Sequence, residues 1–219
     1  MIPALLLKAA SDSDDMPRSP RFDVDRAYRD RHQAAAAVAL WLFMAVAGML
    51  FMLFLAAYVM RMNGSDWSVI ALPWQLQLST ALLFASGMSM QQAALAARYG
   101  MRQNTRLLIG AGALFALAFL LVQCWAWHAL LANNVLPVNN PAGSFFYLLT
   151  AMHGLHVIGG MAALAWTART VWAGPQVTRN AWRLSLCARY WHFLLALWLV
   201  LFATLGWLTP DVVNFICGR

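Results

Sequence analysis

SFFYLLTAMHGLHVIGG, residues Ser144 to Gly160, sets two imidazoles one helical turn apart inside a run from Leu107 to Ala168 that contains no Asp, Glu, Lys or Arg. Such a run is long enough for more than one crossing of a bilayer, since ~30 Å of hydrocarbon takes about 20 helical residues. Imidazole at bilayer depth is costly unless neutral and hydrogen-bonded, so His153 and His156 are expected to find partners within a helix bundle. Working outward from this stretch, five windows have the length and apolar character of a span: Ala36 to Met60, Leu72 to Ala97, Leu107 to Leu131, Ser144 to Ala168 and Tyr190 to Leu208. The expected fold class is all-α, an integral membrane five-helix bundle.

Composition agrees. Of 219 residues 62% are hydrophobic and 11% charged, with no Glu anywhere, whereas soluble domains carry about 25% charged residues. The net charge of +7 comes from short basic clusters between apolar runs, with no basic aromatic face of the kind that tracks a phosphate backbone. Nucleic acid is therefore not an expected partner. Cys124, Cys187 and Cys217 stand alone, without the spacing of a disulfide framework or a zinc or iron-sulfur site. The opening MIPALLLKAASDSDDMPRSPR has too short an apolar patch for a signal peptide and reads as a retained, disordered tail over residues 1–34. A five-helix transmembrane domain over 35–210 and a short periplasmic tail over 211–219 complete the organisation.

Lys and Arg fall unequally on the two sides. The N-terminal tail, the loop after the second span (Arg98, Arg102, Arg106) and the loop after the fourth (Arg169, Arg179, Arg183, Arg189) hold 13 of them, against Arg61 and Arg219 opposite. By the positive-inside rule the N-terminus is cytoplasmic and the C-terminus periplasmic. Trp67, Trp74, Trp125, Trp127 and Trp207 then read as outer interfacial anchors, and Trp41, Trp166 and Trp191 as inner ones. The outer connection from Ala132 to Gly143 is turn-forming and uncharged.

Helical spacing gathers Gln75, Ser79, Ser86, Ser89 and Ala93 on one face of the second span, which reads as a packing surface where small residues allow close approach. In the fourth span His153, His156, Gly160 and Thr167 form one stripe, and Gly159 with Ala163 a separate small step. At 1.5 Å per residue His156 and His192 lie at depths within reach of each other, so the fourth and fifth spans are expected to be neighbours through these histidines.

Imidazoles also invite redox chemistry. Two ligands one turn apart on a single helix cannot clamp one iron from opposite sides, so a b-type haem is possible only between His156 and His192. A copper or iron centre wants three ligands or neighbouring carboxylates, and the spans contain no carboxylate. His128, near the outer rim of the third span, needs no special role. Proton pumps and proton-coupled carriers place ionisable residues near the midplane, and nothing here resembles the broken helix pairs of carriers. The histidines therefore read as packing residues, with neither catalytic nor metal-ligating residues expected.

FYLLTAMHGLHVIGG at Phe146 to Gly160 and YWHFLLALWLVLF at Tyr190 to Phe202 resemble the two signature helices of the cytochrome c oxidase subunit 3 family, subunit III of haem-copper terminal oxidases. WLFMAVAGMLFMLFLAAYVMR at Trp41 to Arg61 is similar to a third helix of that family, and the likeness extends to about Leu208. Five spans match its shorter bacterial form. The resemblance implies a non-catalytic subunit in a bacterial inner membrane, part of a respiratory complex that reduces oxygen to water. It implies contact with subunit I, subunit II in the same complex, haem and copper only in those partners, bound phospholipid, and support of proton uptake. An accessory subunit of a nitric oxide reductase is a related implication.

By the resemblance the matched positions are His153, Gly154, His156, Gly160, Trp191 and His192, with subunit-interface or lipid contact as implied roles. Gln123 is a companion of the histidine cluster. Arg98, Arg102 and Arg189 are candidates for lipid phosphate, although orientation alone accounts for them. Two departures stand out: positions where many members carry Glu are Ala47 in AVAGMLF and Ala126 in VQCWAW. Any role that depends on those acids is absent from this chain.

Overall fold

The computed structural model describes residues 20–62, 67, 73–133, 141–174 and 177–207. Five α-helices follow in order: α1 (Pro20–Arg61), α2 (Gln75–Arg98), α3 (Arg102–Ala132), α4 (Pro141–Ala173) and α5 (Ala181–Trp207), with a single 3-10 turn at Thr178–Asn180 before α5. No strand occurs among the described residues. The chain divides into two compact units, residues 1–39 and 40–219. In the first, Tyr28 meets His32 edge-on at 4.4 Å; everything below concerns the second.

Four helices (α1, α3, α4 and α5) contain segments long and apolar enough to cross a membrane. The fifth, α2, is 24 residues long, about 36 Å at the helical rise, but Gln75, Gln77, Gln91, Gln92 and its Ser and Thr residues dilute its hydropathy. It is a full member of the bundle, packed against both α3 and α5.

Four of the helices outrun the expected spans, mostly at the ends flanked by basic residues. α1 begins at Pro20, a position where a missing N–H costs the helix nothing, and so takes in residues 20–34 that composition had assigned to a disordered tail. α4 begins at Pro141 for the same reason, shortening the expected outer connection of Ala132 to Gly143. α5 starts at Ala181 rather than Tyr190. The expected tails over 1–19 and 211–219 lie outside the described residues.

α2 and α3 share the most extensive interface because only three residues join them. Gly100 has φ +73°, Met101 N–H donates to Ala96 O at 2.9 Å and Gly100 N–H to Ala97 O at 3.2 Å. This is the Schellman closure, in which a left-handed residue satisfies the last carbonyls of a helix. Thr105 then bonds back to Met101 O through both its N–H and its hydroxyl, starting α3.

The interior is built by α2 to α5 around Trp191, Trp198, Phe119, Phe146, Leu83 and Met90. α1 contributes one stripe, Met44, Ala47, Phe51, Leu55, Tyr58 and Met62, spaced at helical repeats and buried. Its neighbours are reached through long side chains: Phe43 and Phe51 meet His156, Phe43 meets Tyr190, and Tyr58 meets Phe145 edge-on at 5.8 Å.

Candidate functional site

The α4–α5 seam is tight at Gly160. A Cβ there would lie 2.8 Å from Tyr190 Cε1 and 3.3 Å from Trp191 Cζ3, so only glycine admits the two rings. Tyr190 passes along the groove and donates its hydroxyl to His156 O at 3.0 Å. The two helices are neighbours, as expected, but Tyr190 and Trp191 join them rather than a contact of His156 with His192. Each of those imidazoles turns its Nδ1 to the carbonyl one turn earlier on its own helix, His156 to Met152 O and His192 to Ala188 O, both at 2.7 Å. Gly154 sits at ordinary van der Waals range from Leu120, across α3. Gly159 and Ala163 face outward, so the small step they form lies on the surface of this chain.

Three tryptophans tie helices together by one device. Trp191 Nε1 donates to Ser86 Oγ (2.6 Å), whose own proton goes to Gly112 O on α3 (2.7 Å). Trp198 Nε1 donates to Thr80 Oγ1 (2.9 Å), which donates to Leu76 O. Trp127 Nε1 donates to Thr150 Oγ1 (3.1 Å), which donates to Phe146 O. A hydroxyl that accepts an indole N–H while donating to a carbonyl leaves no buried polar atom stranded. Trp191 is therefore a fully buried strut and not the interfacial anchor expected from its position. Trp127, also expected as an anchor, is partly buried by its bond to Thr150, whereas Trp41, Trp74, Trp125, Trp166 and Trp207 are exposed.

His153 is fully buried, its ring 5.1 Å from Trp198 and edge-on to Phe119 at 5.7 Å. Gln123, on α3, is buried as well. Exposed His128 fits its rim position.

Arg98, Arg102 and Arg106 have protein partners. Arg102 reaches Trp172 O and Gly174 O, and Arg106 reaches Trp172 O, placing two guanidinium groups on the carbonyl end of α4 where the helix dipole favours a cation. Arg98 donates to Ser185 Oγ on α5. Arg189 instead borders a cleft of about 650 Å³ with Trp41, Met44, Gln91, His192 and Phe193. That cleft was not legible in the sequence, because Trp41, Gln91 and Arg189 come from three different helices.

The geometry gives no support to a haem between His156 and His192. Phe43 and Phe51 stand against the His156 ring at 6.0 and 5.4 Å, and the cleft that His192 lines does not include His156, so the two imidazoles face different surroundings. Among the described residues no group of three or more His, Cys, Asp or Glu gathers as a metal site. The two alanines that replace the expected acids are buried, Ala126 completely.

Comparison with known proteins agrees with this helical layout. The chain is 27% identical over 167 residues to the cytochrome bo(3) ubiquinol oxidase subunit 3 of Pseudomonas aeruginosa, covering 74% of this chain and 79% of that one. It is 30% identical over 176 residues to a probable cytochrome c oxidase subunit 3 of Nocardia farcinica, covering 76% and 83%. A probable cytochrome c oxidase subunit 3 of Mycobacterium leprae is 31% identical over 130 residues, 58% and 62% of the two chains. The family cytochrome c oxidase subunit III matches residues 33–209. With its apolar helices and that match across nearly the whole bundle, the chain is a multi-pass membrane protein belonging to the subunit III family of haem-copper oxidases.

Proposed function

We propose that this chain braces the catalytic subunit I of a respiratory haem-copper oxidase in a bacterial inner membrane, with subunit II in the same complex and the haem and copper held by those partners. The family match over residues 33–209 carries the reading. An acid-free span region supports a role without autonomous redox or proton chemistry. On this reading the N-terminus is cytoplasmic, and the subunit sustains proton uptake by its neighbour through packing rather than through a carboxylate of its own. Purification of the tagged chain in mild detergent is expected to bring subunits I and II with it; consistent absence of a haem-copper subunit would overturn the assignment. Oxygen uptake by that complex with ubiquinol and with reduced cytochrome c identifies its electron donor.

Structural phospholipid belongs to the same proposal. Arg98 and Arg102 have protein partners, which leaves Arg189, with Gln91 and His192, to receive a lipid phosphate in the cleft beside Trp41. Exposed Gly159, partly exposed Gly154 and the outer surface of α4 suit subunit contact. The buried His153, Gln123, Trp191 and Gly160 act within the chain. Native mass spectrometry of the complex is expected to lose a bound phospholipid in Arg189→Gln; an unchanged lipid complement would remove the cleft from this role.

A further inference from the structure

The outer half of the bundle interior holds polar atoms that helix packing alone does not satisfy. Neither amide atom of Gln123 and neither ring nitrogen of His153 meets a hydrogen-bond partner among the described residues, although Gln123 is 5% exposed and His153 fully enclosed. Buried polar side chains are nearly always paired, with protein or with ordered water.

The two side chains occupy one layer between α3 and α4. Phe119, Gln123 and Trp127 follow at one-turn intervals on α3. Phe119 meets His153 and Trp127 bonds Thr150 on α4, so Gln123 lies between two contacts that face that helix. The Thr150 hydroxyl is already committed, accepting from Trp127 and donating to Phe146 O. Phe119 and Trp198 close the other sides of the imidazole with apolar ring surface. Trp74 faces Trp125 at 5.3 Å across the α2–α3 interface, which sets Gln75, whose Oε1 is also unpartnered, level with Gln123.

We propose that Gln123 and His153 bind an internal water between α3 and α4. A neutral imidazole offers one donor and one acceptor, and the amide offers both, so a single water can accept from one and donate to the other. The bridge sets the register of α3 against α4 by a polar layer within an otherwise greasy interface, and it does not depend on which oxidase the chain serves.

A cryo-EM map of the chain with its accompanying subunits, at a resolution that shows ordered water, tests this directly. Density within hydrogen-bond distance of both the Gln123 amide and a His153 ring nitrogen is expected. Its absence, or a direct bond between the two side chains, would overturn the site. Thermal midpoints give an independent reading: the loss in the Gln123→Leu, His153→Phe double variant should not exceed that of the worse single variant, because each single change strands the same water. Additive losses would show that the two residues share no ligand.

Discussion

Trp191 Nε1 lies 2.6 Å from Ser86 Oγ, 105 positions earlier in the chain, and the same hydroxyl donates to Gly112 O. One serine thereby links α5, α2 and α3. Ser86→Ala removes the acceptor from a fully buried indole and the donor from a buried carbonyl, and should cost about 1–2 kcal/mol, the scale of interhelical polar contacts in membranes. A lowered thermal midpoint of the purified complex, followed by Trp fluorescence, checks it.

Gly160 and Gly159 make a matched pair. Gly160→Ala drives a methyl against the Tyr190 and Trp191 rings, whereas the Cβ of Gly159→Ala meets nothing within 4 Å. The first should destabilise by roughly 1–3 kcal/mol through overpacking, and the second should leave the stability of the chain itself unchanged. Should Gly159→Ala preserve the fold yet weaken co-purification of a partner, the outward face of α4 is the docking surface.

Gly100→Ala should destabilise the α2–α3 connection by about 1–2 kcal/mol, because a residue with a Cβ is forced to φ +73°. Gly110, in the regular body of α3 with open space around it, is the control: Gly110→Ala should be neutral or stabilising by up to about 1 kcal/mol. Comparative unfolding of the two variants by heat or by sodium dodecyl sulfate in mixed micelles reads both.

Introducing the acids that the family resemblance leads one to expect should not create a function here. Ala126 is completely buried and Ala47 nearly so, so Ala126→Glu places a carboxyl in apolar surroundings at a cost of about 2 kcal/mol or more. Reduced yield of assembled complex is the expected outcome, measured by haem absorbance per milligram of membrane protein.

Much of this architecture was readable from residue order, and for a physical reason: crossing length and the absence of charge are properties of contiguous sequence. The small polar face of α2 was legible too, since Ser79, Ser86 and Ala93 repeat at helical spacing and are all buried. What periodicity could not supply was the pairing of particular side chains on different helices. His192 was expected to meet His156, yet the hydroxyl of Tyr190, two positions earlier, makes the link. Trp191 looked like an interfacial anchor because its place near the inner end of a span is the same for an anchor and a strut. The two-turn spacing of Trp191 and Trp198, set against Ser86 and Thr80 on α2, was the available signal. Arg102 and Arg106 satisfied the orientation rule so completely that their second role, closing the carbonyl end of α4, carried no separate trace.

The three-residue closure at Tyr99 to Met101 bears on biogenesis. A helix as rich in glutamine and serine as α2 partitions less readily into lipid than the greasier α3, and a tether of three residues lets the two insert as one hairpin. A hairpin that enters as one piece would bring the serine-lined surface that grips Trp191 into the bilayer with α3 already beside it.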